Sequence, residues 1–121
     1  MKRHKLLVVE DDTEIREALV ELLEEQGCDV VGASNGERAL AWLRSTEALP
    51  CLILLDLMMP VMDGHAFREA QCQDPALANI PVVVVSAYRD VQGNAEKLNA
   101  ASFIKKPPRL EDLVSAIAQH C

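Results

Sequence analysis

The sequence predicts an α/β fold, with a five-stranded parallel sheet covered on both faces by five helices. Three observations predict it. Short runs rich in Val and Leu alternate, five times over, with longer segments whose apolar residues recur every three to four positions. The short runs are apolar nearly throughout, as strands buried on both faces must be. Strand–helix alternation without long linkers builds parallel pairs through right-handed crossovers. With five strands the natural doubly wound order is 2-1-3-4-5.

The elements follow in order. Lys5–Glu10 (KLLVVE) is the first strand, and Asp11–Gly27 the first helix. In that helix Ile15, Ala18, Leu19, Leu22 and Leu23 form one stripe, Asp12 or Thr13 caps the start and Gly27 ends it. Cys28–Ser34 (CDVVGAS) is the second strand. Asn35-Gly36 turns the chain, and Glu37–Ser45 is a helix with Ala39, Leu40 and Leu43 inward. Cys51–Asp56 (CLILLD) is the third strand. Pro60 and Gly64 break the chain before a short helix, His65–Gln73, that carries Phe67 and Ala70. Ile80–Ala87, with four consecutive Val, is the fourth strand. Asp90–Ala100 is a helix weakened by Gly93 and two Asn. Ala101–Lys106 is a fifth strand stopped by Pro107. Arg109–His120 is the last helix, with Leu110, Leu113, Val114, Ile117 and Ala118 on one face.

A chain of 121 residues, half of them apolar, suffices for one domain with its own core, residues 1–121. No apolar run reaches 18 residues, so no membrane span is expected. Acids interrupt the N-terminal apolar run too early for a signal peptide, and a cytoplasmic location is expected. Met1 directly before the first strand reads as a native start. The net charge of −7 argues against nucleic acid or an anionic membrane as a direct partner. Cys28, Cys51, Cys72 and Cys121 form no CxxC pair and have no His at zinc-ligand spacing. Reduced thiols are expected, with Cys28 and Cys51 as small core residues and Cys121 open to oxidation between molecules.

Open α/β sheets bind ligands outside the carboxyl ends of their strands, at the crevice where strand order reverses. The first strand ends in Glu10-Asp11-Asp12 and the third, its neighbour, in Asp56. The fourth strand ends in Ser86 and the fifth in Lys105-Lys106. Clustered carboxylates repel, and a hard cation such as Mg²⁺ relieves them. An Asp56 oxygen beside such an ion, a hydroxyl and an ammonium is placed to accept a phosphoryl group. Singly, each feature has an ordinary structural reading: acids favour a helix N-terminus, Ser caps, and Lys-Pro stops a strand. Four independent strand ends converging on one rim make the joint reading the stronger one.

On "LLVVEDD", "LLDLMMPVMDG", "VVVVSA" and "FIKKP", in that order, the whole chain resembles the receiver domain of two-component response regulators, a flavodoxin-like fold similar to the chemotaxis regulator. The resemblance implies that Asp56 is the phosphoacceptor, fed from a phosphohistidine on a sensor histidine kinase or histidine phosphotransfer domain. It implies Mg²⁺ held by Asp12 directly, Asp11 through water, Asp56 and the Met58 carbonyl. It implies Ser86 as the switch hydroxyl, Phe103 as the switch aromatic, and Lys106 rather than Lys105 at the site, with a cis Lys106–Pro107 bond. A downstream output protein or domain would read the change of shape. Met58 and Tyr88 depart from the expected pattern near the site, as do Pro108-Arg109 before the last helix. Self-catalysed phosphorylation and dephosphorylation are implied, not turnover of a separate substrate.

Three rivals fit less well. A hydrolase of the haloacid dehalogenase type wants its nucleophile in a DxD motif after the first strand, and here the pair is adjacent. A dinucleotide binder wants GxGxxG there, where acids would repel phosphate. A binding-only pseudo-receiver would lack Asp56 or Lys106.

Overall fold

The computed structural model describes residues 4–56, 62–86 and 98–121. In chain order they form β1 (Lys5–Val9), α1 (Thr13–Glu25), β2 (Asp29–Ala33), α2 (Gly36–Ser45), β3 (Leu52–Asp56), α3 (Gly64–Gln73), β4 (Val82–Ser86), β5 (Ser102–Lys105) and α4 (Leu110–His120). The sheet order is 2-1-3-4-5 and all four pairings are parallel, as expected. Four helices lie among the described residues. The helix expected over 90–100 falls largely outside them, as do Met58 and Tyr88. Its described end corrects the expected boundary: Leu98 and Asn99 form a turn, and Asn99 takes φ 53°, a left-handed conformation that ends helices.

Period-2 alternation divides the strand side chains between two cores. Leu7, Val9, Ile53, Leu55, Val82 and Val84 face α2 and α3 together with Phe67. Leu6, Val8, Leu52, Leu54, Val83 and Val85 face the other way, toward Leu19 and Leu23 of α1 and Leu113 and Ile117 of α4. Every residue of β3 and β4 is buried, which is why those runs carry no polar residue before their last position.

Side-chain oxygens cap three helices: Asp12 accepts from the Ile15 N–H, Asn35 from Arg38 and Asp63 from Ala66. Arg109 offers α4 no such cap. The apolar stripe of α4 is rotated from the expected one. Leu113, Ala116 and Ile117 are buried, while Leu110 and Val114 stay about 40% exposed, because Ile104 on the edge strand meets only the narrower row. Ile15 and Ala18 of α1 are likewise exposed.

The cysteine expectation is corrected. Cys51 and Cys121 are joined by a disulfide across 70 residues, with Cα atoms 5.4 Å apart. Cys51 is therefore no core thiol, and Cys121 has a partner within its own chain. The last residue of the chain returns to the start of β3, a proximity that only the tertiary fold creates. Cys28 is a free, buried thiol as expected, and burial raises its pKa.

Buried polar chemistry lies between α3 and its neighbours. The Arg68 guanidinium donates to the Leu98 carbonyl (3.0 Å), the Asn99 carbonyl (3.1 Å) and Gln71 Oε1 (2.8 Å). Gln71 Nε2 donates in turn to the Leu77 and Ile80 carbonyls. These bonds supply partners to a connection that no regular ladder reaches.

Candidate functional site

The carboxyl end of the sheet is built by strand register. Val9 of β1 pairs with Leu55 of β3, so the next residues, Glu10 and Asp56, stand across from one another. Both are buried, at 2% and 6% exposure. The Glu10 N–H donates to the Ala33 carbonyl at 3.0 Å, which extends the β1–β2 pairing up to the acid. Arg16 Nη1 donates to the Glu10 carbonyl at 2.9 Å and braces the turn into α1. Glu10, Asp11 and Asp56 bring carboxylate oxygens within 4.8 Å of one another.

Lys106 closes the cluster. Its N–H donates to the Ser86 carbonyl at 2.9 Å, which fixes it one residue past β5. Its Nζ donates to Glu10 Oε1 at 2.6 Å and lies 3.4 Å from Asp56 Oδ2. Alternation sends Lys105, the preceding residue, to an exposed position. Ser86 is buried at the end of β4, with its backbone opposite Lys105. The Lys106–Pro107 bond is cis.

The charges are strained against one another. Burial, then the neighbouring Asp56 carboxylate, raises the Glu10 carboxyl above its ordinary value, although Lys106 opposes them. Burial and then Glu10 raise Asp11. For Lys106 burial pulls downward, but the hydrogen bond to Glu10 and the two carboxylate charges outweigh it, and the ammonium is held more firmly than usual. Three oxygen donors whose charges repel make a donor set that suits a small hard cation.

Asp11, Asp56, Ser86 and Lys106 therefore meet at one rim. Asp12 does not join them: its Oδ1 accepts the Ile15 N–H at 3.0 Å and caps α1. The acid pair that faces Asp56 is Glu10-Asp11, one residue earlier than the expected Asp11-Asp12. The signal was present, because "LLVVE" and "LILLD" each end four apolar residues with an acid, and aligned parallel strands put those ends together. Arg16 was missed, since its bonds are to backbone carbonyls. Phe103 lies on β5 with 40% of its surface exposed, lining a cavity of about 210 Å³ with Asp112, Ser115 and Gln119. Met58 lies outside the described residues.

Comparison with known proteins agrees over nearly the whole chain. The family model of the response regulator receiver domain matches residues 6–118. PilG of Pseudomonas aeruginosa is 31% identical over 118 residues, covering 96% of this chain and 86% of that protein. The protein ycf27 of Porphyridium aerugineum is 33% identical over 119 residues; the match takes in 97% of this chain but only 48% of ycf27, about half its length. Among solved structures, a response regulator receiver protein from Pseudomonas putida is 29% identical, with a TM-score of 0.87 and 98% of both chains covered. The signal receiver domain of a signal transduction histidine kinase from Syntrophus aciditrophicus is 32% identical, with a TM-score of 0.85, covering 96% of this chain and 88% of that one.

Proposed function

The chain belongs to the response regulator receiver domain family, and we propose that residues 1–121 act as one such domain, switched by phosphorylation of Asp56. The observation that carries this reading is the Lys106 ammonium lodged between two buried carboxylates at the carboxyl end of the sheet. A phosphoryl group arriving on Asp56 meets a cation already in place, with no need to desolvate a new one.

Glu10, Asp11 and Asp56 are the residues that would hold Mg²⁺, and the ion would offset the charge on the phosphoryl oxygens. Asp56 attacks phosphorus, an Asp56 oxygen–phosphorus bond forms, and the bond to the donor nitrogen breaks. The donor is a phosphohistidine on a histidine kinase or phosphotransfer domain. Lys106 then exchanges part of its contact with Glu10 for the phosphoryl oxygens, and Ser86, on the adjacent strand end, donates a hydrogen bond to them. Hydrolysis reverses the state when water replaces the Asp56 oxygen on phosphorus. The chain turns over no separate substrate.

The output leaves through β5 and α4. Phe103, Leu110 and Val114 are each about 40% exposed there, and the movement of Ser86 at the end of β4 is felt directly by its β5 neighbour. A downstream protein or domain reads that surface. The switch works in the cytoplasm, and no described helix is long and apolar enough to cross a membrane.

Intact-mass analysis after incubation with a small acyl phosphate and Mg²⁺ tests the reading. Wild type is expected to gain one phosphoryl group and Asp56→Asn none. An equal gain in both would overturn the assignment.

A further inference from the structure

The amino end of the sheet, opposite the acidic pocket, carries a second set of ligating side chains. His4 precedes β1, Cys51 precedes β3 and Cys121 follows α4. A ring nitrogen of His4 and the two sulfurs all lie within 4.8 Å of one another. His4 and Cys121 are exposed and Cys51 is half-buried, so a reductant and a cation can both arrive from solvent. Backbone hydrogen bonds hold all three in place: the Asp29 N–H donates to the His4 carbonyl (2.8 Å), the Cys51 N–H to Lys5 (2.9 Å), and the Cys121 N–H to Ile117 (2.8 Å). Cys51 and Asp56 lie at opposite ends of the third strand, roughly 16 Å apart at the rise of a β-strand. The two sites are therefore separate.

We propose that His4, Cys51 and Cys121 form a redox-gated site for a thiophilic divalent cation of the Zn²⁺ class. In the oxidised chain the two sulfurs are bonded to each other and have no thiolate charge to offer. A dithiol reductant breaks the S–S bond: two electrons and two protons pass to the sulfurs, and the reductant leaves as its own disulfide. The two thiols then release their protons to solvent as two sulfur–metal bonds form, and the neutral His4 imidazole donates a lone pair. Side-chain rotation parts the sulfurs to about 3.8 Å, the separation that two sulfur ligands at about 2.3 Å need in a tetrahedron. Water takes the fourth position. Two thiolates and an imidazole favour Zn²⁺ strongly over Mg²⁺, which seeks oxygen. Disulfide and cation are thus alternative cross-links between the end of α4 and the start of β3, and the redox state selects between them.

Cobalt(II) is the probe. The full chain is titrated before and after treatment with a phosphine reductant, in excess Mg²⁺ so that the acidic pocket does not compete. Reduced protein is expected to show thiolate-to-cobalt charge transfer and intense tetrahedral d–d bands, saturating at one ion per chain and erased by Zn²⁺. Cys72→Ser, which alters an exposed thiol elsewhere on the surface, should leave the spectrum unchanged. Cys51→Ser and Cys121→Ser should abolish it, and His4→Ala should weaken binding by roughly tenfold or more. The proposal is overturned by the same spectrum before reduction or in Cys51→Ser, or by no tetrahedral spectrum in reduced wild type. It is equally overturned if reduction removes the helical circular dichroism and cobalt does not restore it.

Discussion

Glu10 stands between a cation it binds at 2.6 Å and a carboxylate, Asp56, that repels it, and its titration follows from both. Burial and Asp56 raise its carboxyl in the folded chain. A raised acid binds protons in the folded state where the unfolded chain has already released them. Its contribution to stability without metal therefore grows as pH falls through the raised value toward the ordinary one of 4.5, and levels off below. Cation binding runs the other way, since protons and Mg²⁺ compete for the same oxygens. Calorimetric titration should show Mg²⁺ affinity declining as pH falls, starting at a higher pH than ordinary carboxylates would allow, and Glu10→Gln should flatten the decline. A decline unchanged by Glu10→Gln would refute the role of Glu10. At Lys106, the raised value means its stabilisation persists up to and beyond the ordinary 10.5 before being lost with rising pH. Lys106→Ala should uncouple phosphorylation from the change in α4, seen in backbone NMR shifts, while Lys105→Ala should not. The converse result would move the functional lysine by one residue. The convergence of Asp56, Ser86 and Lys106 on one end of the sheet was legible in the sequence, because Asp56 and Ser86 each end an apolar strand and Lys106 directly follows one. The choice among three consecutive acids was not, because it depends on where β1 stops and on Asp12 being taken by the cap of α1.

Single elements were readable where the signal is local. Continuous Val and Leu runs mark buried parallel strands, and the acid before the first apolar stripe marks the start of α1, where Asp12 is the cap. What escaped is polar chemistry whose partners are distant. Gln71 is fully buried four residues after Phe67, on the same stripe of α3. A polar residue at an apolar position signals a network, but nothing nearby names the carbonyls of Leu77, Ile80, Leu98 and Asn99 that complete it. Gln71→Leu keeps the volume and leaves two carbonyls without that donor and Arg68 without one acceptor. At 1–3 kcal/mol per buried unsatisfied group, the loss should be about 3 kcal/mol, read as a lower urea midpoint with an unchanged slope. A neutral result would mean that water substitutes for the amide. The exposed Leu110 and Val114 have the same lesson for α4: periodicity located the helix, while its rotation was set by which row meets Ile104.

At the scale of the whole molecule, the order of the sheet could be read from the alternation of elements, but the meeting of Cys51 with Cys121 could not, since 70 residues separate them. Cross-linking a loop of that length removes unfolded-chain entropy worth roughly 4 kcal/mol. Thermal melts should therefore fall on addition of reductant for wild type, in metal-free buffer, and not for Cys51→Ser; identical shifts in both would show that the bond contributes nothing. The same bond also changes the covalent topology. Residues 51–121 form a closed ring, and residues 1–50 lie outside it. A protease that cuts once in the ring, for instance after the exposed Arg109, opens it without freeing any fragment, so the product keeps full mass on a non-reducing gel and divides only under reduction. A cut outside the ring, after the exposed Arg44, separates its products as soon as the chain is denatured. The helix α4 is thus protected from release by nicking for as long as the bond is oxidised, and becomes severable from β3 once it is reduced.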